Sequence, residues 1–323
     1  MKMRLACKIR TARRVARRRR SSLSTTSLFA KTRSTVREKL LFFPVDPAPL
    51  TMKAGLLRFP HDLGHGDADA RVFLVDDDLP RALADKRKSC ANRRWFECVE
   101  NDEERRAEQA VYPFVRERLA VEAPDRLADA DSDAGALGPW DALGRALQED
   151  LVVMHRGNDG LGRAIVCHVS FPSGWRPEHV AGTSFRGIHG PVPGFPGRSD
   201  DDEKVRAAAA RSMVDAMVKR GPYVRFVWTV CADDELDHHP DSGLRAPKTT
   251  ITHFRVERQL TWPFPDVEGS LFVIRTYVYP VSSLGEERCS TLARALTNMP
   301  PEIRRYKGLS DAAITAFASA HGL

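Results

Sequence analysis

Five apolar segments with the composition of β-strands lie in the second half of the chain, two in close succession and three after a helical region. The first two are Asp150–His155 and Gly162–Phe171, and the other three are Tyr223–Cys231, Ile251–Trp262 and Leu271–Tyr279. Because strands that follow one another so closely favour antiparallel pairing, the pattern predicts an α+β fold with an antiparallel sheet. The order strand-strand-helices-strand-strand-strand is also that of a PAS-like domain, whose helices and sheet enclose a ligand.

Helices are predicted before this sheet region. Glu103–Leu119 carries apolar residues at helical spacing, and Pro139 suits the first turn of a short helix through Gln148. A short strand is predicted at Arg71–Val75. By contrast, Ala123–Gly138 is small, acidic and rich in helix breakers, so it is predicted to be a solvated connector.

One long helix is predicted between the second and third strands, and two helices are predicted at the C-terminus. Asp200 can cap a helix over Asp201–Lys219, whose acidic first turn suits the helix dipole. The buried stripe of this helix is predicted to comprise Val205, Ala209, Met213 and Met217. The closing helices are Ser283–Thr297 and Asp311–Ala320, so helices flank the sheet at both ends of the sequence.

The basic charge of the chain is concentrated in residues 1–37, which hold 13 of the 50 Lys and Arg residues and no acidic residue. The remainder, residues 38–323, is predicted to be a single domain and carries 37 basic against 43 acidic residues. Since a nucleic-acid-binding fold needs basic surface on the fold itself, nucleic acid is not expected as a partner. The tail is predicted to be disordered or a transit peptide, which implies the mitochondrial matrix. The alternatives are a nuclear-localisation patch at Arg17–Arg20 and a cytoplasmic protein with a disordered extension.

Two other classes of protein are disfavoured by the sequence. Its apolar runs fall well short of the roughly 20 residues that a membrane-spanning helix needs. The six cysteines are scattered without a CxxC pair, which argues against a zinc ribbon or an iron–sulfur site and favours a reducing compartment.

One of the ten histidines has a sequence context that suits a metal ligand. His189 precedes Gly190, which leaves room for a flat macrocycle or a substrate. Pro191 and Pro193 then stiffen the backbone after the imidazole. An axial haem ligand needs an imidazole held in this way, and the alternative is a turn histidine that caps a helix end. The pair His238-His239 lies in an acidic loop that could hold a divalent metal but is predicted to be solvated.

Charged residues interrupt the apolar pattern of the last three strands. Arg225 lies on one strand, Arg255, Glu257 and Gln259 share a face of the next, and Arg275 interrupts the last. A hairpin between the last two strands could bring Glu257 near Arg275, within a register uncertainty of a residue or two. Such charges must pair, reach a ligand or face water. The alternatives are a solvent-facing sheet surface, and a pocket where arginines meet haem propionates and Glu257 holds a cationic amine.

Six short motifs in a fixed order carry a resemblance to a known family. They are Leu147-Gln148-Glu149-Asp150-Leu151, Phe171-Pro172-Ser173-Gly174-Trp175, Ile188-His189-Gly190-Pro191-Val192-Pro193-Gly194, Arg255-Val256-Glu257-Arg258-Gln259, Ile274-Arg275-Thr276-Tyr277 and Tyr306-Lys307-Gly308. With these motifs the chain resembles the haem-dependent oxidative N-demethylase family from roughly Phe42 to the C-terminus.

The resemblance implies a PAS-like haem fold that acts as an enzyme. A small secondary or tertiary N-methylated amine would be oxidised at its methyl group by O₂, and the carbinolamine would collapse to the demethylated amine and formaldehyde. The cofactor would be haem b. Electrons would come from a reductase subunit or partner protein, because the sequence has no GxGxxG fingerprint for a nicotinamide or flavin.

The resemblance also assigns roles to residues. His189 would be the axial metal ligand, and Arg225 and Glu257 would be the catalytic pocket residues. Contacts to the cofactor are expected from His189, Arg275, Pro191, Pro193 and Trp175. The family pattern has Asn before the tryptophan that matches Trp228, whereas this chain has Val227, and the lost polar contact would change the substrate or abolish turnover. The alternatives are a non-catalytic haem-binding sensor module and a structural domain that has lost the haem site.

Overall fold

The computed structural model describes residues 37–48, 55–91, 95–190, 192–193, 203–242 and 250–323. All of these belong to the unit Val36–Leu323, the second of the two units into which the chain divides. Residues 1–36 of the basic tail lie outside the described residues, so its predicted role as a transit peptide stays a prediction. None of the helices in the described ranges is long and apolar enough to cross a bilayer.

A seven-stranded antiparallel sheet forms the centre of the fold, and its strand order is β1-β5-β6-β7-β3-β4-β2. The strands are β1 Leu57–Arg58, β2 Trp95–Glu97, β3 Asp150–His155, β4 Arg163–His168, β5 Tyr223–Cys231, β6 His253–Phe264 and β7 Gly269–Pro280. The predicted α+β class and all five predicted strands are confirmed. They occupy consecutive positions in the sheet, because β7 pairs with β3 and so joins the last of the five to the first. The short strands β1 and β2 pair with β5 and β4 at the two ends of the sheet.

Ten helices lie in the described parts of this unit. They are α1 Leu79–Ala91, α2 Asp102–Glu122, α3 Pro124–Leu137, α4 Pro139–Ala146, α5 Pro177–Val180, α6 Phe185–His189, α7 Glu203–Lys219, α8 Glu286–Thr297, α9 Pro301–Tyr306 and α10 Asp311–Ala320. The predicted helices at α2, α4, α7, α8 and α10 are therefore present. The first turn of α2 is acidic, and its cap Asn101 accepts a hydrogen bond from the Glu104 amide at 2.9 Å, as a helix N-terminus favours.

The segment predicted to be a solvated connector, Ala123–Gly138, is instead the helix α3, so this prediction is wrong. Pro124 occupies the first turn, where its missing N–H costs nothing, and Gly138 ends the helix with a φ of 86°. Only a narrow stripe of α3 is buried, with Ala130 at its centre. The acidic and small residues that suggested a loop cover the solvent side of the helix.

The strand predicted at Arg71–Val75 is an extended segment outside the sheet ladder, so this prediction is also wrong. Side chains from distant parts of the sequence take the place of a neighbouring strand. Glu122 accepts two of its backbone N–H groups at 2.9 and 3.1 Å, and Glu149 accepts the Leu74 amide at 2.8 Å. Arg258 donates to two of its carbonyls. The backbone polar groups are thus satisfied by buried charged side chains instead of a β-ladder.

Different helices cover the two faces of the sheet. On one face, α2, α3 and α4 pack against side chains such as Leu151 and Val273, while α8 and α10 pack against Trp228 and Phe254. The helices α6 and α7 cover the opposite face, where they pack against side chains such as Val152. Because side chains alternate along a strand, each strand contributes to both cores.

The buried stripe of α7 differs from the predicted one. Val205 is exposed, and the buried residues of this helix are Ala207, Ala210, Val214, Ala216, Met217 and Val218. The predicted spacing of four residues drifts around a helix of 3.6 residues per turn, so Met217 falls on the buried face whereas Val205 does not. The predicted cap Asp200 and the first predicted helical residue, Asp201, lie outside the described residues.

Candidate functional site

His189 ends the short helix α6 and is held there by its own helix. Ser184 caps α6 by accepting the Gly187 amide at 3.1 Å, and Phe185 is buried against the sheet. The His189 ring stacks on the Phe185 ring with 4.0 Å between centroids, and its Nδ1 lies 3.0 Å from the Phe185 carbonyl oxygen. Since a carbonyl only accepts, Nδ1 must carry the proton. The Nε2 atom is therefore the unprotonated nitrogen, as a metal ligand requires.

The electrostatic surroundings keep the His189 imidazole neutral. Its pKa is lowered to about 4, mainly by burial; the hydrogen bond to the Phe185 carbonyl opposes this shift and the nearby Arg225 charge adds to it. In the segment that follows His189, the Val192 amide donates to the His189 carbonyl at 2.9 Å, and Pro193 is buried. Pro191 lies outside the described residues. The imidazole is thus both fixed and uncharged near pH 7.

Arg225 and Glu257 lie on the face of the sheet that α6 and α7 cover. Arg225 is opposite Gln259 in the pairing of β5 with β6, and Glu257 is opposite Thr276 in the pairing of β6 with β7. The two charged residues are therefore diagonal neighbours on adjacent strands. Glu257 accepts a hydrogen bond from Gln259 at 2.9 Å, and the Arg255 guanidinium is 3.9 Å away.

Arg275 lies on the opposite face of the sheet from this site. The β6–β7 hairpin does bring it within one residue of the position opposite Glu257, inside the predicted register uncertainty. Arg275 lies opposite Arg258 in the β6–β7 pairing, one residue out of step with Glu257, and a single step along a strand reverses the face. On the other face it is fully buried and forms an ion pair with Asp76 at 2.7 Å. Burial lowers the pKa of Arg275, but Asp76 outweighs this effect and leaves it raised.

Several buried polar atoms on the α7 side of the sheet have no partner among the described residues. Within the described residues, Arg225 makes no hydrogen bond or ion pair, and its Nε is fully buried. Burial lowers the pKa of Arg225, with Glu257 opposing. The Thr276 hydroxyl opposite Glu257 and the Arg206 Nε on α7 are buried without partners as well. Such atoms need a partner, and a bound ligand can supply it.

Lys307 approaches the same site and was absent from the predicted site residues. It follows α9, and its Nζ donates to the Trp228 carbonyl at 2.7 Å. Burial lowers its pKa to about 8, with the Glu257 charge opposing and the Arg225 charge adding to the effect. The sequence signal was the motif Tyr306-Lys307-Gly308, which carries the resemblance but gives no hint of what its lysine contacts.

Two shallow clefts lie beside α6, and both are lined by Gly187. Trp175 lines one of about 360 Å³ together with Ile188 and Pro240. Arg206 lines the other, of about 450 Å³. The residues that line these clefts do not include His189, Arg225 or Glu257, so the candidate site lies beneath α6 rather than in either cleft.

The loop that carries His238 and His239 is not solvated, contrary to the prediction. Both imidazoles are buried, and each meets a carboxylate: His238 contacts Asp233 at 2.7 Å and His239 contacts Glu178 at 3.1 Å. The Nδ1 of His239 accepts the Asp241 amide, so its Nε2 must donate to Glu178. This arrangement describes a hydrogen-bonded structural histidine rather than a metal ligand.

Comparison with protein families is consistent with the six motifs. The model of the family described as haem-dependent oxidative N-demethylase, alpha subunit-like, matches residues 68–314, which is more than three quarters of the chain. The match confirms the resemblance, and the family description implies an oxidative enzyme that depends on haem. The chain therefore belongs to the haem-dependent oxidative N-demethylase, alpha subunit-like, family.

Proposed function

We propose that the chain is the haem-binding subunit of an oxidative N-demethylase that acts on a small secondary or tertiary methylamine. The amine, O₂, two electrons and two protons would give the demethylated amine, formaldehyde and water. The observation that carries this proposal is the neutral His189, whose unprotonated nitrogen adjoins a sheet face with unpartnered polar atoms. Haem b supplies the iron at which O₂ is reduced.

The residues present fit such a cofactor. The Nε2 of His189 is the candidate axial ligand, and the hydrogen bond from its Nδ1 to a backbone carbonyl fixes the ring as metal-ligating histidines require. Pro191, Pro193 and Trp175 are proposed to border the macrocycle, since the two prolines follow α6 in the sequence and Trp175 lines a cleft with Gly187 and Ile188 of α6. Arg275 is left out of this site because it faces the other core and already pairs with Asp76.

Glu257 is proposed to hold the amine nitrogen. An ammonium placed beside its carboxylate gains a charge-assisted hydrogen bond on a face where α6 and α7 limit the access of water. The N-methyl group must react as part of a neutral amine, so Glu257 can also take up the ammonium proton. Thr276, directly opposite Glu257, offers a hydroxyl that has no partner in the described residues.

The strand arrangement supports a PAS-like fold. Two strands, helices and three strands build one antiparallel sheet in which the first and last of the five are neighbours. Helices, including the α6 that ends at His189, cover the face that carries Glu257. Such a fold encloses a ligand between its helices and its sheet, and Arg225 and Thr276, whose buried polar atoms have no partner in the described residues, lie on that covered face.

Two further parts of the proposal concern partners and location. A reductase subunit or protein is proposed to supply electrons, since the sequence has no dinucleotide fingerprint.

The mitochondrial matrix is the proposed location, and the cytoplasm is the alternative. N-terminal sequencing of the native protein tests this, because an intact Met1 in the mature protein would contradict import with cleavage.

An absorption spectrum of the full chain supplied with haem tests the proposal, beside His189→Ala and the control His179→Ala. His179 is an exposed histidine on the neighbouring helix α5. We expect a Soret band in the wild type and the control, and a lost or shifted band in His189→Ala.

Formaldehyde release from N-methylated amines with O₂ and a chemical reductant then tests catalysis. Haem binding without formaldehyde would favour the sensor alternative, which the departure at Val227 supports. A folded chain that takes up no haem would contradict both.

A further inference from the structure

The site beneath α6 carries more positive than negative charge. Arg225 and Lys307 face a single carboxylate, that of Glu257, and the charges of all three act on one another. An amine substrate binds as a cation and would add to this surplus, whereas a zwitterion would not. We propose that the substrate carries a carboxylate as well as the N-methylated nitrogen, and that Arg225 binds that carboxylate. This inference rests on the proposed function and names its substrate class as N-methyl amino acids.

Three other arginines of the sheet are fully buried, whereas Arg225 is half-buried. All four have a buried Nε without a partner among the described residues, so they differ in the partners of their terminal nitrogens. Arg255 donates to the carbonyls of Leu236 and Phe171, at 2.8 and 2.9 Å. Arg258 and Arg275 likewise reach backbone carbonyls and the carboxylate of Asp76. These guanidinium groups have partners, as a buried charge requires. Arg225 has none in the described part of the chain, and its Nε has no contact with solvent.

The spacing of Arg225 and Glu257 suits a zwitterion. They are diagonal neighbours on β5 and β6, because Arg225 is opposite Gln259 and Glu257 lies two residues before Gln259. Diagonal neighbours on one face of a sheet lie about 7–8 Å apart at Cα. The nitrogen of an α-amino acid and its carboxylate are separated by one carbon, so the two side chains can reach both ends of one small molecule. The Thr276 hydroxyl, opposite Glu257, is available to either end.

A haem propionate is the other possible source of a carboxylate at Arg225. It would satisfy the same guanidinium and leave a simple amine as the substrate. The two sources predict different consequences for the Arg225→Gln variant, because a propionate partner affects haem retention whereas a substrate partner affects substrate affinity.

The experiment measures equilibrium binding of three ligands to the haem-loaded full chain by calorimetry. N-methylglycine carries the carboxylate, N-methylglycine amide has an uncharged carboxamide in its place, and dimethylamine lacks the group altogether. The proteins are the wild type, Arg225→Gln, Arg225→Lys and the control Arg220→Gln, which changes an exposed arginine just after α7. Haem content per chain and circular dichroism are recorded for each protein.

We expect the wild type and Arg220→Gln to bind N-methylglycine about ten- to a hundredfold more tightly than its amide, the range for a charge-assisted hydrogen bond. Arg225→Gln should abolish this preference at unchanged haem content, and Arg225→Lys should restore part of it. Equal affinities for the acid and the amide in the wild type would overturn the inference. So would an Arg225→Gln protein that loses haem but keeps the preference. Formaldehyde from dimethylamine without any preference for the acid would refute the inference and leave the proposed function intact. Absence of haem uptake would refute both.

Discussion

Val227 lies directly opposite Glu257 in the antiparallel pairing of β5 with β6. The resemblance implies Asn at this position, so Val227 is a departure at the cross-strand neighbour of the carboxylate that is proposed to bind the amine. Side chains in such pairs come within about 4.5–5.5 Å of each other at Cβ. With valine there, the hydrogen bond that Glu257 accepts comes from Gln259 on its own strand.

Val227→Asn should restore a polar neighbour to Glu257 and raise the rate of formaldehyde release severalfold. The cost to stability should be about 1 kcal/mol, because asparagine fits a strand less well than valine. Val227→Ala is the control, since it removes the valine side chain without adding an amide. Steady-state assays with a chemical reductant measure the effect. Equal rates for the Asn and Ala variants would show that the departure is without consequence for turnover.

The folding free energy should depend on pH through His189. Its pKa is about 4 in the folded chain against about 6.5 when unfolded, so the unfolded chain binds the proton more tightly. The contribution is complete above pH 6.5 and is lost as the pH falls towards 4, by about 2 kcal/mol after allowance for the partial exposure of the ring. Urea unfolding at a series of pH values measures it. His189→Gln should flatten the curve over this interval, and an identical slope in the variant would assign the effect to other groups.

Asp76→Asn should strongly destabilise the fold, because it leaves the Arg275 guanidinium buried without its ion-pair partner. The expected loss is about 3–5 kcal/mol. Asp67→Asn is the matched control, since Asp67 pairs with Arg37 in an exposed ion pair, and its loss should be at most about 1 kcal/mol. Denaturant unfolding compares the two. A small effect of Asp76→Asn would mean that the pair is solvated, and Arg275 could then be reconsidered as a cofactor contact.

Two glycine substitutions should have opposite effects. A Cβ at Gly144 on α4 would lie 2.3 Å from the His168 ring, so Gly144→Ala must displace a fully buried side chain and should cost about 1–3 kcal/mol. Gly135 lies in α3, where an added Cβ would meet nothing within 4 Å, and Gly135→Ala should stabilise the chain by about 0.5–1 kcal/mol. Thermal unfolding of both variants checks this. A destabilised Gly135→Ala would argue against helix at α3.

The strands were predictable because their apolar alternation is a local property. The helix α3 was not, since its buried stripe is narrow and acidic residues dominate its composition. The extended segment at Arg71–Val75 has the composition of a strand, but its hydrogen-bonding partners, Glu122 and Glu149, come from elsewhere in the chain. Whether an extended segment joins a sheet depends on such distant partners, which periodicity does not reveal.

The candidate site was predictable in part for the same reason. Alternation along β5 and β6 placed Arg225 and Glu257 on the face opposite the apolar residues. The position of Arg275 required the register of the β6–β7 hairpin, in which an offset of one residue reverses the face. Lys307 reaches the site from the end of α9, and a contact across nearly 80 residues to Trp228 leaves no periodic signal.

The preference for a carboxylate-bearing ligand should weaken above pH 8 through Lys307. Its pKa is lowered by burial to about 8, so its charge is present below that pH and is lost as the pH rises through it. Binding of N-methylglycine relative to dimethylamine, whose ammonium stays protonated over this range, should therefore fall about two- to fivefold between pH 7 and 9, as expected for loss of a nearby but not contacting charge. Lys307→Arg should keep the preference over this range, because a guanidinium stays protonated. Lys307→Met should show the weakened preference at both pH values, and Lys204→Met, which changes an exposed lysine on α7, should behave as the wild type. A wild-type preference that stays constant up to pH 9 would show that Lys307 does not act on the bound carboxylate. The carboxylate would then be bound by Arg225 without a contribution from Lys307.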